Sequence, residues 1–270
     1  ERVARPGARL LVEAGTGGGK SFAYLVPAIL RCLLHRERVV VATNTIALQE
    51  QLINKDIPFL QETIPQWGLP EVDAKGERLP ELRAVLVKGR GNYISVRRLE
   101  LASKRALTLL PDAASRESLR QIEEWAYTTT DGTLSTLPPI ERMGVWDRVQ
   151  SDSGNCMGRK CPYYQKCFYQ NARRRMEAGN LLVCNHALFF SDLALRAASG
   201  GEAAILPAYD HVILDEAHNI EDAASEHFGV SLTESRVSHL LGLLYHHRTG
   251  RGYLANVKVK GDVEPLDAAH

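Results

Sequence analysis

The sequence predicts an α/β fold: a parallel sheet with helices on both faces, interrupted by a mostly helical insert. Three observations predict it. Across residues 9–61, apolar β-branched runs alternate with segments of helical spacing, the signature of strands joined by crossover helices. A glycine-rich stretch joins the first apolar run to the first helical one. From about residue 90 to 178 the alternation disappears, and it returns over 179–230.

Taken in order, RLLVEA at 9–14 is short and apolar and ends in glycines, which predicts a buried strand. FAYLVPAILRCLLHR (22–36) has the spacing of a helix. RVVVAT (38–43) predicts a second strand, and ALQEQLINKDIPFLQ (47–61) a second helix. Prolines and charges over 66–82 predict a loop, and AVLVKG (84–89) another strand. Within the insert, 97–127 reads as helical and TTTDGTLSTLPP (128–139) as an exposed loop. NLLVCNHALFF (180–190) returns to strand character, and HVILDEAHNIEDAA (211–224) is a strand running into an acidic turn. The expected organisation is a core domain over 1–89 and 179–230, an insert over 90–178, and the opening of another domain over 231–270, begun by the amphipathic ESRVSHLLGLLYHH.

Composition excludes several classes. At 270 residues, 44% hydrophobic and 24% charged, the chain has globular rather than disordered proportions. Its net charge of +1 provides no global field toward nucleic acid, so such binding must come from local patches. No run of 18 apolar residues exists, which predicts no membrane-spanning helix. Of five cysteines, Cys156, Cys161 and Cys167 fall within twelve residues, while Cys32 and Cys184 lie alone in apolar surroundings. That is a local thiol cluster in a reducing, cytoplasmic setting, not a secreted disulfide framework.

Ala14-Gly15-Thr16-Gly17-Gly18-Gly19-Lys20-Ser21 lies between an expected strand and an expected helix, the setting a phosphate-binding loop requires. Glycines let backbone N–H groups turn toward phosphate oxygens, and a helix N-terminus adds partial positive charge. Lys20 is expected at the β- and γ-phosphates of ATP, and the Ser21 hydroxyl at Mg²⁺. Val212-Ile213-Leu214-Asp215-Glu216-Ala217-His218 ends an apolar strand in two carboxylates. Asp215 there suits Mg²⁺, and Glu216 suits a general base for attacking water. Acidic residues also favour helix starts. The presence of both motifs in one chain favours the chemical reading.

With these motifs the chain resembles superfamily 2 helicases, and more narrowly the DinG/XPD-like group of DNA helicases in its bacterial DinG-like branch. VVVATNTIALQEQL, VKGRGNY, the cysteine cluster and NLLVCNHALFF carry the rest of the match, in that group's order, over about residues 9–230. The resemblance implies a RecA-like P-loop domain with an iron–sulfur insert, ATP hydrolysis with Mg²⁺, and 5′-to-3′ movement on single-stranded DNA toward duplex junctions. It further implies His218 as a coupling residue, Thr43, Thr45 and Gln49 at the DNA backbone, a monomer, and a second motor domain, absent from this sequence, that completes the ATP site. A DNA-dependent ATPase or binding module without unwinding, and the motor part of an exonuclease, are the alternatives.

The spacing Cys156-x4-Cys161-x5-Cys167 is wider than the close pairs of most zinc sites and suits iron–sulfur ligation better. The resemblance implies a [4Fe–4S] cluster on four cysteines, the fourth shortly after the Asn-Tyr of the KGRGNY-like stretch. Ser95 stands there instead. Three outcomes remain open: a cluster completed by Ser95 or water, a labile cluster, or three free thiols. Residues 154–176 hold Arg159, Lys160, Lys166, Arg173, Arg174 and Arg175 with no Asp or Glu, interleaved with aromatic residues. Residues 88–105 add Lys88 and Arg90 beside Tyr93. Such patches neutralise phosphates and stack on unpaired bases, and the resemblance assigns them to DNA. A solvated charged face is the plainer reading of any one of them.

Overall fold

The computed structural model describes residues 7–15 and 19–228, with positions 241, 244, 245 and 254. The chain divides into two compact units, residues 1–227 and 228–270. The expected domain opening over 231–270, the start of ESRVSHLLGLLYHH included, therefore lies outside the described residues apart from those four positions.

The first unit runs α1 (Lys20–His35), β1 (Val39–Thr43), α2 (Ile46–Gln51), a wide π-helical turn (Leu52–Asp56) and α3 (Ile57–Thr63). After β2 (Ala84–Leu86) come α4 (Val96–Lys104), α5 (Ala106–Leu109), α6 (Ala113–Thr128), α7 (Trp146–Val149) and α8 (Phe168–Ala178). The chain then returns through β3 (Leu181–Asn185), α9 (His186–Ala198), β4 (His211–Leu214) and α10 (Ile220–Phe228). All strand pairs are parallel, in the order β2-β3-β1-β4.

The side-chain period of two divides β1 and β3 between two cores. Val39, Val41, Leu181 and Val183 pack with Leu25, Ile29 and Leu33 of α1 and with Ile57 and Leu60 of α3. Val40, Ala42, Leu182 and Cys184 face the other way, onto Met176 of α8 and Leu188, Phe189 and Phe190 of α9. Strands buried on both faces read as continuous apolar runs, and each buried aliphatic side chain contributes about 1.5–3 kcal/mol. A third core, distinct from both, belongs to the insert: Ile94, Leu99, Leu119, Ile122, Trp125, Trp146 and Val149. The Trp146 indole N–H donates to the Gly91 carbonyl at 2.8 Å, tying this core to the segment that leaves the sheet.

Four expectations need correction. Residues 9–14 form no strand; Leu10, Leu11 and Val12 are 64%, 90% and 68% exposed. A strand exists only as part of a ladder, and among the described residues β4 is an edge with nothing paired beyond it. The strand expected over 84–89 stops at Leu86. In NLLVCNHALFF, the Asn185 side chain accepts from Leu188 N at 2.8 Å, caps a helix, and turns HALFF into the start of α9. The 128–139 loop is part-buried around Asp131, whose carboxylate accepts from Thr129, Thr133 and Thr136. No helix among the described residues is long and apolar enough to cross a membrane.

Candidate nucleotide and nucleic-acid site

Parallel strands converge their C-terminal ends, and crevices form there. Here α1 begins at that end. Gly19 takes a left-handed backbone (φ 70°) and heads α1 with no side-chain cap and no acidic residue in the first turn. The first turn of this 16-residue helix carries no acidic side chain, so its positive end suits an anion. Lys20 and Ser21 open the helix; Gly15 precedes the loop and is exposed, and Thr16, Gly17 and Gly18 lie outside the described residues.

Across from Lys20 lies the acidic turn after β4. The Asp215 N–H donates to Ala42 O at 2.8 Å, and its Oδ2 accepts from the Thr43 hydroxyl at 3.2 Å. Glu216 adopts a left-handed backbone (φ 52°), a conformation uncommon outside glycine and characteristic of functional sites. That conformation carries its carboxylate to Lys20 Nζ at 3.0 Å. The bonded ammonium holds the Glu216 carboxyl below the usual carboxylate range. His218 Nδ1 stands 3.4 Å from the other Glu216 oxygen and is 71% exposed. The structure therefore gathers Lys20, Ser21, Asp215, Glu216 and His218 at one end of the sheet.

Two residues there carried no signal for a role at this site in the sequence. Thr43 was expected at DNA, yet it is fully buried and is bound to Asp215. Tyr24 places a half-buried phenol beside Ser21 and Asp215, and burial, then the Asp215 carboxylate, push its pKa up. Gln49, also expected at DNA, is 2% exposed. Thr45 is exposed, and its hydroxyl accepts from Leu48 N at 3.2 Å as the cap of α2.

Four of the expected DNA residues meet elsewhere. Lys88, Arg90, Tyr93 and Arg173 line a shallow cleft with Tyr169 and Met176. Lys88 Nζ donates to Ser135 Oγ at 2.6 Å. The Arg90 guanidinium lies 4.2 Å over the Tyr169 ring, a cation–π contact, and sits beside Cys156. Tyr93 is buried and tilted against Tyr169 at 5.9 Å. Arg173 pairs with Glu177 at 3.4 Å. Arg159 and Lys160 are exposed on the turn between Cys156 and Cys161, and Arg174 is exposed on α8, donating to Asn171.

Tyr169 also borders a second cleft, whose lining includes Cys156, Cys161, Cys167, Ser95 and Arg97. All three cysteines are free thiols. Among the described residues, no three His, Cys, Asp or Glu side chains converge closely enough for a single metal ion. Ser95 opens α4, and its hydroxyl accepts from Arg98 N at 3.4 Å. Cys32 and Cys184 are fully buried in the two sheet cores, and burial pushes each thiol up to about 12.

Comparison with known proteins adds an independent line. Residues 78–237 match the DEAD_2 family. The chain is 34% identical over 232 residues to the ATP-dependent DNA helicase YoaA of Escherichia coli, covering 86% of this chain and 33% of that protein. It is 32% identical to YoaA of Haemophilus influenzae, covering 84% and 32%. The ATP-dependent helicase DinG of Mycobacterium tuberculosis is 34% identical over 241 residues, covering 85% and 34%. The chain spans about a third of the length of these curated relatives.

Proposed function

The chain belongs to the DEAD_2 family, and from that premise we propose that it carries the ATP-binding motor portion of a DinG-like DNA helicase. One observation carries the reading most: Lys20 at the uncapped start of α1 faces the Asp215–Glu216 pair after β4, the two halves of an ATP site brought together from opposite ends of the sequence.

The site's own groups supply the steps. The N-terminus of α1 and Lys20 bind the β- and γ-phosphates. To do so Lys20 leaves Glu216, which loses the bonded ammonium that depresses its pKa and becomes a better base. Water attacks the γ-phosphorus, the bond to the ADP oxygen breaks, and Glu216 accepts the water proton. Ser21 and Asp215 would hold Mg²⁺, which would supply charge neutralisation at the phosphate oxygens. Thr43, at the end of β1, fixes the Asp215 carboxylate and so links the segment leading to Thr45 and α2 to the nucleotide.

Single-stranded DNA is the second ligand in this reading. The cleft of Lys88, Arg90, Tyr93 and Arg173 supports it, by offering cations beside aromatic rings. Movement is 5′ to 3′ toward duplex junctions, as in the DinG/XPD-like group, with a further motor domain as partner, a monomeric state and a cytoplasmic location. Cys156, Cys161 and Cys167 would hold an iron–sulfur cluster in this reading, as in the DinG/XPD-like group, and it would pin the insert. The deciding experiment is nucleotide binding and phosphate release by this chain, with and without single-stranded DNA. Binding lost in Lys20→Ala supports the reading, and wild-type protein that binds neither ATP nor DNA overturns it.

A further inference from the structure

Ala42, near the end of β1, carries two hydrogen bonds on one carbonyl. The Asp215 N–H donates to it at 2.8 Å from the β4 side, and His186 Nε2 stands 3.2 Å from it on the β3 side. The sheet order makes this possible: β1 lies between β3 and β4, with Ala42 paired to Cys184 on one side and to Leu214 on the other. A carbonyl only accepts, so Nε2 carries the ring proton and donates it, and Nδ1 carries the lone pair. His186 is 2% exposed, and its Nδ1 has no hydrogen-bond partner. A buried acceptor left unpaired costs free energy that an apolar ring would not. Phe190, whose ring centroid lies 6.5 Å away, shows that the neighbourhood accepts such a ring. What the histidine adds is a single N–H, and that N–H goes to the carbonyl that holds Asp215.

We propose that His186 is a positioning residue for Asp215: by holding the Ala42 carbonyl from the β3 side, it fixes the strand end at which that carboxylate is presented to Mg²⁺. The inference rests on the ATP reading given under Proposed function and goes beyond it by adding a residue that acts through a backbone carbonyl rather than on the nucleotide. Asp215 is anchored twice on β1, its N–H on Ala42 and its Oδ2 by the Thr43 hydroxyl, and His186 braces the first of these anchors. His186 also opens α9 directly after β3, the strand by which the chain returns from α8 and the insert. The same bond therefore gives that returning strand a hold on the acidic turn.

The test is a fluorescent-nucleotide titration of the 270-residue chain with and without Mg²⁺, run on wild type, His186→Phe and His186→Gln, with thermal melts to verify folding. His186→Phe keeps a ring and removes the N–H, and His186→Gln keeps an N–H donor. The expected result is equal affinity in all three without Mg²⁺. His186→Phe should need about tenfold more Mg²⁺ to reach half of the metal's effect on affinity, and His186→Gln should recover most of that loss. Phosphate release should show the same shift in Mg²⁺ requirement. His186→Phe with the Mg²⁺ dependence of wild type overturns the proposal. So does weakening of equal size with and without Mg²⁺, which is a packing defect, or His186→Gln as impaired as His186→Phe. If His186→Phe does not fold, the ring itself decides. In wild type labelled with ¹⁵N-histidine, the His186 ring, assigned by its absence from His186→Gln, should show the Nε2–H tautomer, and the Nδ1–H tautomer overturns the proposal. Wild type that binds no nucleotide ends the ATP reading and this proposal with it, whereas every other adverse outcome leaves the ATP reading standing.

Discussion

Lys20 and Glu216 are each other's partner at 3.0 Å, so a nucleotide that enters this site competes with an ion pair already formed. The two residues therefore separate under mutation. Lys20→Ala removes the charge-assisted bonds to phosphate, about 1.5–3 kcal/mol, and should weaken ATP binding roughly 10- to 100-fold. Glu216→Gln removes the competitor and the base together. It should bind ATP at least as tightly as wild type while hydrolysis falls about 10²- to 10⁴-fold. A fluorescent-nucleotide titration beside a phosphate-release assay separates the two effects, and weaker binding by Glu216→Gln would contradict the competition. These residues were legible in the sequence because each motif is local: a glycine loop before a helix, a carboxylate pair after a strand. The Thr43–Asp215 bond was not, because it follows from β1 lying beside β4 in the sheet, and residues 172 positions apart reveal that only once strand order is known.

At the scale of elements, local signals held where they described a segment's own backbone and weakened where a segment depends on a neighbour. RVVVAT became β1 because β3 and β4 flank it; RLLVEA, equally apolar, has no flanking strand and stays exposed. HALFF reads as strand by composition and is helix because Asn185 caps it. The turn after α3 shows how a capping ion pair fixes an element. Asp73 accepts from Lys75 N at 2.8 Å and Glu77 N at 2.9 Å and pairs with Arg36, which ends α1. The Arg36 bond holds the Asp73 carboxyl near 2, below its ordinary 3.8. A carboxylate depressed on folding stabilises above its unfolded pKa and loses that contribution as pH falls through its folded one. Asp73→Asn should therefore lower the melting temperature at neutral pH, and the gap to wild type should close between about pH 4 and pH 2; a gap of constant size across a pH series of thermal melts would contradict it. Gly132 is the corresponding point in the insert. Its φ is +63°, and a Cβ there would collide with the Phe168 ring. Gly132→Ala should destabilise the insert by about 1–3 kcal/mol, which thermal melts read.

For the molecule as a whole, net charge was a poor guide and the placement of charge a good one. A chain of +1 nonetheless lines one cleft with Lys88, Arg90 and Arg173 beside Tyr93 and Tyr169. The sequence revealed the basic composition of 88–105 and the basic, aromatic-rich composition of 154–176. That β2 and α8 bring the two stretches to one cleft, with Tyr169 as a shared wall to the thiols, is a product of the fold. If that cleft follows a DNA backbone, affinity depends on counterion release, and the slope of log affinity against log salt changes by about 0.7 for each phosphate that a cation neutralises on a single strand. Arg173→Ala should weaken binding of an unstructured oligonucleotide several-fold at low salt and flatten that slope by about 0.7. It should do so equally for oligonucleotides of different sequence, since backbone cations and ring stacking read no base edge. Arg90→Ala removes a cation and also the group stacked on Tyr169 beside Cys156. It should flatten the slope by a similar amount and, if the thiol cleft takes up a cluster on reconstitution, alter that cluster's visible spectrum, which Arg173→Ala should not. Anisotropy titrations over a range of salt, with the spectrum recorded on the same samples, distinguish the two variants. Equal spectra would place the thiol cleft and the basic cleft in separate roles, and an altered spectrum in Arg90→Ala alone would join them through Tyr169.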